Sequence, residues 1–163
     1  MSCEVCEKLW VPCERWHLDA IELQLPQIDQ MPESSEDLSN PFIEGTLSDF
    51  ARTALVEGRP IGAIGVIPFW TGVCQAWACL SDEILASYAI HLTRQIPRWI
   101  KILEEQHGMW RIQAVVDIRH AEAERWASLL GFEGSQDIMK AYGPNREDFR
   151  MYARVRNWVQ QES

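Results

Sequence analysis

A long amphipathic helix between two apolar strands is the feature that most constrains the fold of this chain. Over Asp82–His107 apolar residues recur at helical spacing, and Gly108 marks the end of the helix. The flanking segments, Val73–Ser81 and Met109–Asp117, have the apolar content of buried strands. Two strands of one sheet that are joined by a helix run parallel. The sequence therefore predicts an α/β fold with a parallel strand pair.

An antiparallel meander is predicted before this helix. Arg52–Glu57 and Ile61–Trp70 form hairpins with each other and with Val73–Ser81, because short turns at residues 58–60 and 71–72 separate them. Gly62 and Gly65, inside the middle strand, indicate a bulge or a close approach of another segment. The other predicted elements are a strand over Lys8–Trp16, helices over His17–Gln24 and His120–Leu130, and strands over Gln136–Tyr142 and Asp148–Val155.

The chain is expected to form one domain over residues 1–163, with an acidic, turn-rich segment at residues 29–49. Its net charge is −9, and residues 1–50 hold 11 Asp and Glu against 2 Lys and Arg. An acidic protein is a poor partner for phosphate backbones, so no nucleic acid is expected. No apolar run approaches the ~20 residues of a membrane span, so no membrane is expected either.

Five cysteines without a secretory signal indicate reduced thiols rather than a disulfide framework. Cys3, Cys6, Cys13 and His17 contain the ligand types of a structural zinc site. A single Cys-x-x-Cys pair followed by two oddly spaced ligands is a weak zinc signal, however. We therefore expect free thiols and no metal.

Two parts of the sequence resemble the acyl-coenzyme A transferases of the GNAT superfamily. One is the order of elements over nearly the whole chain, and the other is the helix Ala123–Leu130 that closes on Gly131-Phe132. This resemblance implies a mixed sheet with an antiparallel meander, a parallel strand pair that splays apart, and helices on both faces. More narrowly, the chain resembles GNAT-like proteins of tailed bacteriophages, on segments 17–24, 58–61, 75–78 and 141–144.

The resemblance implies an acetyl-coenzyme A site where the two parallel strands separate. The pantetheine arm would lie along the backbone near Ala78 and Leu80. The residues that the resemblance assigns to the cofactor are Ala78, Cys79, Leu80, Ser81 and Ser87.

The chain departs from the family pattern at two points. The junction Ser81–Ser87 lacks the glycines that let backbone amides surround a pyrophosphate, and it carries Asp82 and Glu83 in their place. Ala127 stands where the family often has the tyrosine that protonates the leaving thiolate. Asp117 and His120 are the substitute acid and base candidates, with a helix-capping carboxylate and a surface imidazole as the alternative interpretation.

Two functions remain open at this point. The first is an acetyl-coenzyme A-dependent N-acetyltransferase that acts on an unknown amine. The second is a catalytically degenerate GNAT-like domain that serves as a phage virion or assembly protein, whose partners would be phage structural proteins or further copies of itself. The expected location is the cytoplasm of a bacterial host, or the virion in the second case.

Overall fold

The computed structural model describes residues 10–21 and 50–156. The acidic segment 29–49, Cys3 and Cys6 lie outside the described residues. The described elements are β1 Trp10–Pro12, α1 Arg15–Ala20, β2 Ala51–Val56, β3 Arg59–Trp70, β4 Val73–Leu80, α2 Asp82–Gln106, β5 Arg111–Asp117, α3 Ala121–Leu129, β6 Glu133–Met139 and β7 Phe149–Val155.

These strands form one seven-stranded sheet in the order β1-β2-β3-β4-β5-β7-β6. The pair β4–β5 is parallel, and each of the other neighbouring pairs is antiparallel. The parallel pair is joined through α2, as a crossover connection requires. The predicted mixed sheet, with its meander β2-β3-β4, is confirmed.

Helices cover both faces of the sheet. On one face, Leu18 of α1 and Ile21, which follows α1, pack with Ala51 and Ala63 of the sheet. On the other face α2 and α3 share a core with the sheet, because Ile100 and Ala127 pack together with Ile112 of β5. A second cluster under the first half of α2 centres on Ile84 and Leu92. No helix in the described part of the chain is long and apolar enough to cross a membrane.

The two glycines of β3 are sites of close approach. A Cβ on Gly62 would lie 2.7 Å from Cδ1 of Ile84, and a Cβ on Gly65 would lie 2.6 Å from Cζ2 of Trp77. Neither distance leaves room for a side chain. Glycine at these positions therefore lets α2 and the Trp77 indole pack directly on the sheet.

Helix α1 and strands β2, β3 and β6 begin earlier than the sequence predicts. Helix α1 begins at Arg15 rather than His17, because Nδ1 of His17 accepts a hydrogen bond from the Glu14 amide and so closes the first turn (2.9 Å). Strand β6 begins at Glu133 rather than Gln136. Its earlier start follows from Gly131, whose φ of 90° ends α3 and sends the chain straight back along β7.

Candidate functional site

The parallel strands β4 and β5 pair over a short length and then separate. Their ladder joins Val73–Gln75 of β4 to Arg111–Gln113 of β5. Both strands continue past this ladder, to Leu80 and Asp117 respectively, on the far sides of the gap. Each strand is held there by its antiparallel neighbour, β3 or β7. The result is a V-shaped opening in the middle of the sheet.

Backbone groups of β4 point into this opening. The carbonyl of Gly72 accepts a hydrogen bond from the Arg111 amide of β5 (3.0 Å), whereas the amide of Ser81 donates to Ile61 of β3 (3.2 Å). Alternate residues of a strand direct their backbone groups to opposite neighbours. Even-numbered residues of β4 therefore face β5, and the amides and carbonyls of Ala76 and Ala78 point into the gap. An extended ligand could add to β4 at this position.

The opening leads into a cavity of about 680 Å³ between the sheet and the two helices on that face. Ala78 and Leu80 form part of its wall on the β4 side, and Val115 and Asp117 on the β5 side. Apolar side chains of α2 and α3 complete it. The further lining residues used below are Val66, Ala76, Leu85, Ile96, Ile100, Leu103, Ile112, Ala114, His120, Ala127 and Phe132.

Polar groups at the start of α2 are bound to the protein itself. The Ser81 hydroxyl donates to the Ile61 carbonyl (2.5 Å) and accepts from the Ile84 amide (3.3 Å), which makes Ser81 the N-cap of the helix. The Glu83 carboxylate accepts two hydrogen bonds from Arg59 (2.5 and 2.9 Å). These bonds lower the pKa of Glu83. The acidic first turn thus stabilises α2 and its contact with β3.

Other predicted cofactor residues lie away from the cavity. The Cys79 side chain packs on the opposite face of the sheet, with Cys13, and burial raises its pKa to about 11. Ser87 is exposed on the surface of α2. Neither side chain is among those that line the cavity, so of the five predicted residues the structure brings Ala78 and Leu80 to it. The assignment of cofactor binding itself stays a prediction.

Asp117, at the end of β5, is occupied by its neighbour in the chain. Its carboxylate accepts hydrogen bonds from the Arg119 amide (2.9 Å) and from Nη2 of the Arg119 guanidinium (2.6 Å). The same guanidinium lies 3.9 Å from the Glu147 carboxylate. A carboxylate held in this way is a poor general base, because accepting a proton would disrupt the ion pair. The spacing Asp-x-Arg in the sequence is the signal for this ion pair.

His120 is differently placed. It precedes α3, is half-buried, and lines the cavity. Its backbone amide donates to the Asp117 carbonyl (3.0 Å), which fixes the position of the residue. Its imidazole makes no hydrogen bond to any described residue. The His120 side chain is therefore open to a ligand in the cavity, as is the carboxylate of Glu122, which also lines it.

Several solved structures with this fold are named as acetyltransferases. An acetyltransferase of the GNAT family from Bacillus anthracis superposes with a TM-score of 0.66 at 14% identity, over 90% of this chain and 93% of that one. A chimera that contains spermidine N-acetyltransferase from Vibrio cholerae gives 0.66 at 14%, over 90% and 93%. Ribosomal-protein-S5-alanine acetyltransferase from Vibrio fischeri gives 0.63 at 16%, over 80% of each chain. No protein-family model matches the sequence, and no curated protein is significantly similar to it.

The chain has the GNAT fold. Its splayed strand pair offers the backbone groups and the open cavity that a pantetheine arm needs. Its α2 N-terminus, by contrast, holds Ser81 and Glu83 in protein contacts and has no glycine cradle for a pyrophosphate. The residues present therefore fit the pantetheine half of coenzyme A better than its phosphate half.

The tryptophans leave the gap of this GNAT fold open. The Trp77 indole packs against Gly65 of β3, on the side of β4 away from β5. Trp110 packs on Gly72, at the closed end of the V. Their positions mean that neither indole stands between the two strands.

Tyrosines do not replace the acid that is missing at Ala127. Ala127 is buried and lines the cavity, so no proton donor is supplied from this position. The Tyr152 hydroxyl donates to Glu124 (3.1 Å), and burial raises its pKa. Tyr142 is half exposed, and its ring lies 5.4 Å from that of Phe149 at an interplanar angle of 59°. Neither tyrosine lines the cavity.

Of the four residues weighed as zinc ligands, the two that the structure describes, Cys13 and His17, have other partners. The Cys13 thiol is buried and contacts the Glu14 carbonyl, and Nδ1 of His17 accepts the Glu14 amide. Within residues 10–21 and 50–156 no three His, Cys, Asp or Glu side chains come together in a group that could hold a metal ion.

Proposed function

We propose that the protein is an N-acyltransferase that moves an acyl group from acyl-coenzyme A to an amine. The observation that carries this proposal is the gap between β4 and β5, which opens into a cavity lined by both Ala78 and His120. Support comes from the solved structures of the same fold, several of which are named as N-acetyltransferases. Fold alone does not assign an activity, so the groups at the site have to account for the chemistry.

The proposed reaction needs two groups of this chain. The amine nitrogen bonds to the thioester carbonyl carbon, the carbon–sulfur bond breaks, and one proton passes from the nitrogen to the sulfur. The Ala78 amide, which points into the gap, donates a hydrogen bond to the carbonyl oxygen as negative charge develops there. The His120 imidazole accepts the amine proton and returns it to the departing sulfur. Acyl-coenzyme A supplies the activated acyl group.

Binding is the first test. Acetyl-coenzyme A at about 100 times its Kd should stabilise the folded protein by about 2.7 kcal/mol, because it binds the native state alone. Differential scanning fluorimetry measures this as a rise in Tm. An unchanged Tm at millimolar acetyl-coenzyme A would contradict the proposal.

The role of His120 is tested by the change His120→Gln. Thiol release from an acyl-coenzyme A in the presence of an amine panel should fall about 100-fold or more in kcat, since general-base catalysis contributes about 10²–10⁴-fold. The Kd for the thioester should stay unchanged. Arg125→Gln, an exposed change on the same helix, is the matched control. Equal kcat values for the two variants would rule out His120 as the base.

A second candidate function is supported by the closed end of the V. Phe69 and Trp70 are 44% and 67% exposed there, and their rings lie 5.7 Å apart. Exposed aromatic pairs are typical of protein interfaces. Under this proposal the protein is a non-catalytic phage virion or assembly component that binds phage structural proteins or another copy of itself. Mass spectrometry of purified particles tests it, with Trp70→Ser expected to abolish incorporation; absence of the wild-type protein from the particles would refute it.

A further inference from the structure

The cavity is longer than an acetyl group requires. Leu85 and Leu103, which both line it, lie near opposite ends of α2, about 27 Å apart along a helix that rises about 1.5 Å per residue. Spread over this length, a volume of about 680 Å³ describes a narrow channel. A channel of this shape fits a linear ligand.

The end of the channel beyond the gap is apolar. We define the deep half by six side chains that line the cavity where β4 and β5 converge and under the second half of α2: Val66, Ile96, Ile100, Leu103, Ile112 and Phe132. They belong to one hydrophobic cluster. Two polar side chains also line the cavity: Arg52 of β2, and His107, which follows α2. The six side chains that define the deep half are all apolar, so this part of the cavity suits an alkyl chain.

Small side chains connect the gap to the deep half. Ala76 and Ala114 are the first residues beyond the β4–β5 ladder, and Ala127 lines the cavity from α3. A pantetheine arm that runs along β4 from Leu80 places its thioester at the Ala78 amide, and the acyl chain then passes Ala76, Ala114 and Ala127. Methyl side chains on all three sides leave the passage open from the thioester into the deep half.

We propose that the donor is a medium- or long-chain fatty acyl thioester, whose alkyl chain occupies the deep half of the cavity. This inference rests on the acyltransferase function proposed above. It also accounts for the poor phosphate site at Ser81–Glu83, because burial of the alkyl chain replaces the binding that phosphate contacts would otherwise supply.

A chain-length series tests the proposal. Kd is measured by isothermal titration calorimetry for acetyl-, butyryl-, hexanoyl- and octanoyl-coenzyme A with the full-length protein. Each buried methylene should lower Kd by about fourfold, so octanoyl-coenzyme A should bind about a hundredfold or more tightly than acetyl-coenzyme A. If acetyl- and octanoyl-coenzyme A bind equally, the fatty acyl donor is overturned while the acyltransferase remains. If no thioester in the series binds, the acyltransferase fails as well.

Leucine variants distinguish binding of the alkyl chain inside the channel from nonspecific hydrophobic binding to the surface of the protein. Ala127→Leu should narrow the passage and remove most of the gain in affinity from acetyl- to octanoyl-coenzyme A. Ala121→Leu, on the exposed surface of the same helix, should keep the full gain in affinity from acetyl- to octanoyl-coenzyme A. Val66→Leu narrows the channel at a second position should Ala127→Leu not fold. If Ala127→Leu and Val66→Leu bind octanoyl-coenzyme A more tightly than acetyl-coenzyme A by the same factor as wild type does, the proposal is overturned.

Discussion

The two parallel strands that border the cavity each lead into a helix, but the two junctions are built differently. After β4, the Ser81 hydroxyl makes two hydrogen bonds and Glu83 is held by Arg59. After β5, Arg119 holds Asp117, but the His120 imidazole lines the cavity without a hydrogen bond to any described residue. At the first junction, the side chains of Ser81 and Glu83 both hold α2 in place. The second fastens its helix and leaves the His120 imidazole in the wall of the cavity.

This difference bears on where coenzyme A can be recognised. A helix N-terminus attracts anions through its free amides and its dipole. At α2 this capacity is used by the protein's own side chains, including the carboxylates of Asp82 and Glu83 in the first turn. The affinity of a donor must then come from the gap and the cavity. Mutation of the residues that hold the two helices should therefore lower stability, whereas mutation of His120 should lower activity.

The largest stability effect is expected from Asp117→Ala. Asp117 is 3% exposed and accepts hydrogen bonds from both the amide and the guanidinium of Arg119. Removal of a buried charged acceptor should lower the free energy of unfolding by about 2 kcal/mol. Urea denaturation followed by tryptophan fluorescence measures the change. Asp137→Ala, an exposed change on β6, is the control and should stay close to wild type.

Asp117→Asn sharpens this test, because it keeps the shape and one acceptor but removes the charge. It should recover part of the lost stability. If Asp117→Ala is as stable as Asp137→Ala, the Asp117–Arg119 pair does not fasten the junction, and Asp117 returns as a candidate base.

A smaller effect is expected from Ser81→Ala at the other junction. The change removes the N-cap of α2 and leaves the Ile61 carbonyl without its side-chain donor. Loss of an N-cap costs about 1 kcal/mol. Ser87→Ala, on the exposed face of the same helix, should change stability little. Thioester affinity should be the same in the two variants, because neither side chain lines the cavity; a loss of affinity in Ser81→Ala alone would show that this junction binds the donor after all.

The sequence could predict the order of the elements because the signals for them are local. The apolar spacing of α2, the glycines after α2 and α3, and the short turns of the meander each depend on a few neighbouring residues. The parallel pairing of β4 with β5 followed from the crossover through α2. Gly62 and Gly65 were read correctly as sites of close approach, although the partners Ile84 and Trp77 could not be named.

Most of the site could not be predicted, because it depends on distant contacts. The cavity lies where β4 and β5, which have different outer neighbours, separate. Its deep half combines side chains of β3, α2 and β5 with Phe132, which lies between α3 and β6. The bond between Glu83 and Arg59 joins residues far apart in the sequence. Cys79 and Ser87 were assigned to the cofactor by alignment with a motif, and the structure places both side chains away from the cavity.

Mild acid should weaken two contacts that hold the N-terminal elements, because each depends on a histidine side chain. Nδ1 of His17 accepts the Glu14 amide (2.9 Å), and Nε2 of His91 accepts the Trp10 indole N–H (3.0 Å). Both bonds require a neutral imidazole. Burial lowers the pKa of each histidine below 6.5; the Glu14 carboxylate partly opposes this at His17, and Arg98 adds to it at His91.

Because these pKa values are lowered in the folded state, the unfolded chain binds more protons as the pH falls below 6.5. Stability should therefore be constant above pH 7 and decline from about pH 6.5 downward, before the carboxyl groups of Glu83 and Glu147 lose their stabilising effect below 4.5. Tm measured between pH 8 and 5 should fall less in His17→Gln and His91→Gln than in wild type. A fall as steep as that of wild type in both variants would mean that neither hydrogen bond contributes to the pH dependence of stability.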